Sequence, residues 1–330
     1  MENLLVNKVA AVKEVRQAAE YQKKKQACIL TGLAGSSKPV FFAAADKLLG
    51  GKGSMAFITA SREEIRTYRR ELNYLYPDLP MQELYPVSLP RVQADTQSLE
   101  LQAGRAAALR FLSGEERGIV FITAEALQQK QLRPSGMSGK ALQLAVGEEH
   151  EQRNIAVALL DLGYERTEQV DALGQFCLRG DILDVYPINS STAVRIEWFD
   201  NELDAMRSFD VDTQRSLQTL TSIKIAPLKV DESFSYDADI FEYCAADTMV
   251  VVDEPVHVFS MLEKLDKENK EHASELFGKQ ELIEQLAANG AVLVSALGHS
   301  YLQQLPSLNI PVRAVAPYNK NTNLLVEDLQ

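Results

Sequence analysis

Residues Gly32 to Pro39 have the spacing of a phosphate-binding loop but lack two of the groups that bind a nucleotide. An intact loop reads G-x-x-x-x-G-K-[ST], in which backbone N–H groups and the lysine hold phosphates and the hydroxyl holds magnesium. Gly32 and Lys38 stand at the first glycine and the lysine. Ser37 replaces the second glycine, which hinders close approach of the backbone, and Pro39 replaces the hydroxyl. We therefore predict a nucleotide-binding scaffold that is kept for a purpose other than hydrolysis.

An acidic pair, Asp253 and Glu254, follows a second apolar run. In an ATPase the aspartate would organise magnesium and the glutamate would polarise water. Acidic residues after an apolar strand are also common as purely structural features, so the pair indicates ancestry and not activity. The predicted degenerate nucleotide site comprises Gly32, Gly35, Ser37, Lys38, Pro39, Asp253 and Glu254.

Apolar runs separated by helical periodicity would position these motifs. The runs with the character of buried parallel strands are residues 28–30, 54–59, 118–123, 249–253 and 291–295. Helices are predicted at 61–75, 98–111 and 255–270, the first with Ser61 and Glu64 as a capping box. This alternation predicts an α/β fold with a parallel sheet, a degenerate P-loop domain of the RecA or helicase type.

The middle of the chain follows a different pattern. Residues 133–139 have the composition of a linker, and a helical run near 148–162 follows. Apolar and polar residues then alternate over 175–179, 181–186 and 193–199, which predicts an antiparallel sheet with one wet face. We predict a first α/β part at 1–133, an inserted α+β domain at 134–226 and a second α/β part at 227–330.

Composition excludes several classes of function. No apolar segment is long enough to span a membrane, and the first residues lack the order of a signal peptide. Three separated cysteines fit a reducing, cytoplasmic compartment, and four scattered histidines predict no metal site. A net charge of −12 disfavours nonspecific DNA binding by this chain alone.

The middle segment resembles a module shared by repair proteins. Its motifs are LGYERT at 162–167, GQFCLRGDILDVYP at 174–187, VRIEWFDNELD at 194–204 and FDVDTQRS at 209–216. The pattern is similar to the domain by which the excision-repair protein UvrB binds UvrA, a domain that also occurs in bacterial transcription-repair coupling factors. UvrB keeps an intact phosphate-binding loop and has a long tyrosine-rich hairpin. The segment of this chain that corresponds to the hairpin, residues 84–91, is short and contains one aromatic residue. The chain therefore looks like the N-terminal UvrB-like module of a coupling factor.

The resemblance implies a UvrA-binding surface in the inserted domain. Arg166 and Arg179 match arginine positions of the motif, and Tyr186 matches an aromatic position. Cys177 replaces a further arginine of the UvrB pattern, so part of the charge contact is missing. Arginine suits this role because its planar fork binds carboxylates and keeps its charge. On composition alone, these arginines would be ordinary solvated charges at a strand edge.

The resemblance also implies what this chain lacks. Coupling factors contain an RNA-polymerase-binding part and a DNA translocase, and ATP and magnesium are expected only in that translocase. No cofactor or metal is expected here, and RNA polymerase and DNA would be partners through other parts of the protein. The expected function is a non-catalytic adaptor that recruits UvrA to stalled RNA polymerase in nucleotide excision repair.

Two alternatives remain open. The first is an ATP-dependent DNA helicase or UvrB-type repair motor with an atypical nucleotide site, which Asp253 and Glu254 favour. The second is a direct DNA-binding module, with basic clusters at Lys23 to Lys25 and at Arg66, Arg69 and Arg70. Basic clusters on an acidic chain are usually solvated faces, which weakens this second alternative.

Overall fold

A computed structural model describes residues 4–89, 99–134, 141–228, 236–296, 304–310 and 312. A seven-stranded sheet, parallel throughout, forms the frame of the α/β part, in the spatial order β17-β1-β16-β15-β2-β4-β3. Its strands are β1 (Cys28–Thr31), β2 (Met55–Thr59), β3 (Met81–Leu84), β4 (Ile119–Thr123), β15 (Met249–Asp253), β16 (Val292–Ser295) and β17 (Ser307–Asn309). The central strands are continuous apolar runs because helices cover both faces of the sheet.

Helices on each face complete two apolar cores. One face is covered by α1 (Leu4–Ala10), α2 (Lys13–Lys23), α3 (Ser37–Leu48) and α4 (Arg62–Leu75). The other is covered by α5 (Leu99–Ser113), α6 (Ala124–Gln128), α8 (Pro255–Glu268) and α9 (Lys279–Ala288), with a 3₁₀ segment at Ile240–Tyr243. A second 3₁₀ segment, Lys270–Glu275, follows α8 and has no buried residue. The first core contains a cluster of phenylalanines in which Phe42 and Phe57 meet edge to face, with ring centres 4.9 Å apart.

The middle of the chain builds a separate six-stranded sheet. Its strands are β7 (Glu165–Arg166), β8 (Gln175–Arg179), β9 (Ile182–Val185), β10 (Ala193–Phe199), β11 (Glu202–Phe209) and β12 (Ser216–Leu220). The strands pair antiparallel except for β7 with β8. Helix α7 (Gln152–Asp161) packs its apolar side onto one face of this sheet.

Two short antiparallel pairs lie where the chain enters and leaves this middle part. Strand β5 (Gln131–Leu132) pairs with β14 (Tyr236–Ala238), and β6 (Leu142–Ala145) pairs with β13 (Ser222–Ile225). Outgoing and returning chain therefore run side by side, as an insertion requires. The α/β fold with an inserted α+β domain is confirmed, and the boundaries at 133/134 and 226/227 stay predictions.

Several elements differ from those that the sequence predicts. The helix expected at 255–270 ends at Glu268, and a 3₁₀ segment follows it. The helix expected at 98–111 covers Leu99–Ser113, with residue 98 outside the described ranges. Strands β3 and β17 were not predicted, and only residues 133 and 134 of the expected linker are described. None of the helices in the described ranges combines the length and apolar character needed to cross a bilayer.

Candidate functional site

The degenerate loop lies at the carboxyl end of β1, as in a nucleotide-binding domain. The chain leaves Thr31, turns at Gly32 with a φ of +88° and enters α3 at Ser37. A Cβ at Gly32 would lie 2.6 Å from the carbonyl oxygen of Ile310, so no larger side chain fits there without a shift. The segment after β17 therefore packs directly against the first glycine of the loop.

The ammonium group of Lys38 lies between a pair of carboxylates. Its Nζ lies 2.6 Å from Asp253 Oδ1 and 2.7 Å from Glu254 Oε1. Asp253 is the last residue of β15, and Glu254 begins the turn into α8 with a left-handed φ of +41°. The structure thus brings together the lysine and both acidic residues predicted for the degenerate site. All three charges have partners within the chain.

The electrostatics of this cluster favour the charged forms. Burial opposes the charge on Lys38, but hydrogen bonds and attraction from Asp253 and Glu254 outweigh it and raise the pKa of Lys38. Burial likewise opposes ionisation of Glu254, and the hydrogen bond from Lys38 leads the contacts that nevertheless lower its pKa. Backbone N–H of Ala296 donates to Glu254 Oε1 at 3.0 Å. A phosphate would have to compete with this network for the lysine.

The remaining loop residues have structural contacts of their own. Ser37 Oγ accepts from the backbone N–H of Ala34 at 2.9 Å and lies 2.7 Å from its carbonyl oxygen. Gly35 turns with a φ of +52°. Pro39 is buried in the first turn of α3, where its missing N–H would have no acceptor within the helix. The position that would supply a magnesium hydroxyl therefore holds a buried proline ring.

The second candidate site is the face of the six-stranded sheet opposite α7. Cross-strand register places Cys177, Asp184, Arg195 and Arg207 side by side on neighbouring strands. The residues between them, such as Phe176 and Ile196, point into the apolar core. This row and its neighbours form what we call the arginine face: Cys177, Arg179, Asp184, Tyr186, Arg195, Glu197 and Arg207. Arg166 lies at the edge of the sheet on β7, in register with Phe176.

Asp184 is the centre of the arginine face. Its side chain is 2% exposed and accepts from Arg195 Nε at 2.6 Å and from Arg195 Nη2 at 2.8 Å. Arg179 Nη2 donates to the same carboxylate at 3.0 Å while half of its side chain stays in solvent. Arg195 also makes a cation–π contact, because its guanidinium lies 4.7 Å from the centre of the Phe209 ring. One buried carboxylate therefore orients two arginines.

The other predicted residues lie around this centre. Arg166 is exposed on β7 and has no ion-pair partner among the described residues. Tyr186 is half-buried against Cys177, Ala193 and Phe209, and its hydroxyl donates to the carbonyl of Ser191 at 3.2 Å. Cys177 is buried, burial raises the pKa of its thiol, and its Sγ donates to the carbonyl of Glu168. Cys177 therefore adds no charged group to this face.

Arg195 and Arg207 were not among the predicted site residues. Arg207 forms an ion pair with Glu197, the cross-strand diagonal neighbour. The signal was present in the alternation of Val194 to Trp198, which puts Arg195 and Glu197 on the side away from Ile196. Alternation alone does not say that this wet face is the one carrying Arg179, because that depends on register between strands.

Residues 142–230 match the family described as the UvrB interaction domain. The chain is also similar to curated proteins of one name. It is 36% identical over 203 residues to the transcription-repair-coupling factor of Bacillus subtilis strain 168, a match over 61% of this chain and 17% of that protein. It is 28% identical over 165 residues to the protein of the same name from Escherichia coli K12, covering 50% of this chain and 14% of that protein. The resemblance to coupling factors that the motifs indicated is confirmed.

The chain matches only a small part of each of these relatives. The transcription-repair-coupling factor of Haemophilus influenzae is 30% identical over 169 residues, 50% of this chain and 14% of that protein. The chain thus spans less than a fifth of the length of the curated relatives it matches. Every residue of the arginine face lies within the 142–230 match.

Proposed function

We propose that this chain is a non-catalytic adaptor module of a transcription-repair coupling factor, which recruits UvrA to stalled RNA polymerase in nucleotide excision repair. The observation that carries the proposal is the UvrB interaction domain at 142–230 with its arginine face. RNA polymerase, DNA, ATP and magnesium would be bound by other parts of the full-length protein. Such a module would act in the cytoplasm.

The arginine face has the properties of a docking surface for acidic groups. Asp184 holds Arg195 in place, Arg179 keeps a half-exposed side chain, and Arg166 adds an exposed charge on the adjoining edge strand β7. Because the side chains are held by the sheet, less conformational entropy is lost when a carboxylate is bound. Arginine and tyrosine are also the residues most often found at interface hot spots. We assign Arg166, Arg179 and Tyr186 to UvrA binding, with Arg195 as an additional contact.

A second candidate function is an ATP-dependent helicase or repair motor. The convergence of Lys38, Asp253 and Glu254 favours it, because these are the residue types of a working nucleotide site. Two observations stand against it: Pro39 is buried where a magnesium-binding hydroxyl would be needed, and Lys38 is already paired with Asp253 and Glu254. Steady-state ATP hydrolysis, or tight magnesium-dependent ATP binding, would support the motor and contradict the adaptor in this form.

Calorimetric titration of the chain with purified UvrA tests the adaptor proposal. We expect binding by the parent and at least about tenfold weaker binding by Arg166→Ala and by Arg179→Ala, since hot-spot arginines contribute roughly 2 kcal/mol. Arg153→Ala is the matched control, because Arg153 is exposed on α7, behind the same sheet. Circular dichroism would show that all variants are folded. Unchanged affinity in both test variants, or no binding by the folded parent, would overturn the assignment.

A further inference from the structure

A basic cleft on the α/β part lies outside both sites described above. It has a volume of about 670 Å³ and runs between the second half of α4 and the segment that leads into β3. Arg66, Arg69 and Arg70 line one side, and Pro77, Leu79 and Met81 line the other. Strand β3 is the edge strand of the sheet, so the cleft opens at the rim of the domain.

The three arginines differ in how they are held. Arg69 Nη1 donates to the carbonyl of Met81 at 3.3 Å, and its guanidinium lies 5.4 Å from the centre of the Phe121 ring. Arg66 and Arg70 are exposed, and no carboxylate within the described ranges forms an ion pair with either. One turn earlier on the same helix, Arg62 is paired with Glu83 at 2.6 Å. The helix therefore keeps two uncompensated positive charges at the cleft.

The spacing of these charges suits an extended acidic ligand. Arg66 and Arg70 are four residues apart on one helix face, which puts their Cβ atoms about 6 Å from each other. An extended peptide presents successive side chains on one side at intervals of roughly 7 Å. The two guanidinium groups can thus meet two carboxylates of the same strand face.

The lining of the cleft distinguishes a peptide from a nucleic acid. Its other wall is apolar, with two prolines, Leu79 and Met81. Apolar side chains would cover that wall, whereas a sugar-phosphate backbone would leave it without a partner. Charge and lining together favour a short segment that combines acidic and apolar residues.

We infer that this cleft is a second docking site, which binds an acidic, apolar-containing segment of a protein partner. Arg66 and Arg70 pair with its carboxylates, Arg69 supports the floor, and Leu79 and Met81 contact its apolar side chains. The inference is independent of UvrA binding, since its residues belong to the α/β part and not to the UvrB interaction domain.

Fluorescence anisotropy with a labelled peptide of alternating glutamate and leucine tests this inference. We expect saturable binding by the whole chain that weakens with added salt, and at least about tenfold weaker binding by the Arg66→Glu/Arg70→Glu variant. Arg66→Lys/Arg70→Lys should fall between the two, because lysine keeps the charge and loses the fork. Lys24→Glu/Lys52→Glu is the control with the same change in net charge on exposed residues outside the cleft.

Three outcomes would overturn the inference. The first is no binding of the peptide by the folded parent. The second is equal affinity of the parent and the Arg66→Glu/Arg70→Glu variant, or equal weakening by the control variant. The third is binding of a single-stranded DNA oligonucleotide at the cleft in preference to the peptide, which would assign it to a phosphate backbone instead. All substitutions are at exposed positions, so circular dichroism should show each variant folded.

Discussion

The charge on Lys38 is balanced by two carboxylates that nearly fill its hydrogen-bonding needs. Replacing it by methionine would leave Asp253 and Glu254 close together and uncompensated beneath the loop. We expect Lys38→Met to lower the free energy of unfolding by about 3 kcal/mol, in the range found when one partner of a buried ion pair is removed. Urea denaturation followed by circular dichroism would measure it.

A charge-neutral variant separates the ion pair from simple packing. Lys38→Met combined with Asp253→Asn and Glu254→Gln removes all three charges and keeps similar volumes. Much of the lost stability should return, because neutral groups tolerate burial better than unpaired charges. If Lys38→Met alone unfolds at the same urea concentration as the parent, the cluster contributes nothing to folding.

The pH dependence of the stability lost in Lys38→Met follows from the directions of the pKa shifts. Glu254 has a pKa below its ordinary value of 4.5. Its contribution to folding stability is therefore fully present above pH 4.5 and is lost as the pH falls through the lower pKa of the folded state. Lys38 has a pKa above its ordinary 10.5, so its contribution is full below that pH and is lost as pH rises through the raised pKa. The stability difference between parent and Lys38→Met should therefore be largest near neutrality and shrink in acid.

Among the helices, α4 shows how a local signal in the sequence sets an element boundary. The backbone N–H of Ser61 donates to Glu64 Oε2 at 3.1 Å, which closes the capping box at the start of the helix. We expect Glu64→Ala to destabilise the chain by about 1 kcal/mol, since the donor at Ser61 loses its partner. Thermal unfolding would show the loss as a lower midpoint.

The neighbouring acidic residue provides the control for that prediction. Glu63 is exposed in the same first turn, so Glu63→Ala loses only its interaction with the helix dipole, a few tenths of a kcal/mol. Equal effects of the two substitutions would mean that the dipole, and not the capping box, stabilises this end of α4. The outcome also bears on the cleft, because α4 presents Arg66 and Arg70.

The central strands could be predicted from the sequence, and the edge strands could not. Central strands such as β2 and β4 were predictable because burial on both faces demands an uninterrupted apolar run. Strands β3 and β17 were not, since each is a short edge strand with few apolar residues. Their place is decided by pairing with β4 and β1, which no local pattern records.

The same distinction applies to the candidate sites. Loop spacing and an acidic pair were enough to predict that Lys38, Asp253 and Glu254 belong together, because strand ends meet at one edge of a parallel sheet. The role of Asp184 was missed, because the alternation placed it on a strand but did not show that its carboxylate is buried between two arginines. That role depends on the register of β8, β9 and β10, and register is a property of the folded sheet.

For the whole molecule, the apolar cores indicate two units that can unfold separately. The core of the middle part is built from residues between 142 and 228, and the two cores of the α/β part use none of these. The single tryptophan, Trp198, lies in the middle core at 6% exposure, with its Nε1 donating to the carbonyl of His150 at 2.9 Å. Tryptophan fluorescence therefore reports on the middle part alone, while far-UV circular dichroism reports on both.

We expect the two signals to give different urea midpoints, which a single cooperative unit would not do. Lys38→Met sharpens the test because its ion pair belongs to the α/β part. That variant should lower the circular dichroism midpoint and leave the fluorescence midpoint of Trp198 where it is in the parent. Coincident transitions that shift together in Lys38→Met would mean that the middle part is coupled to the α/β part. An adaptor would then transmit a change at the loop to the arginine face, whereas independent units would present that face whatever the state of the loop.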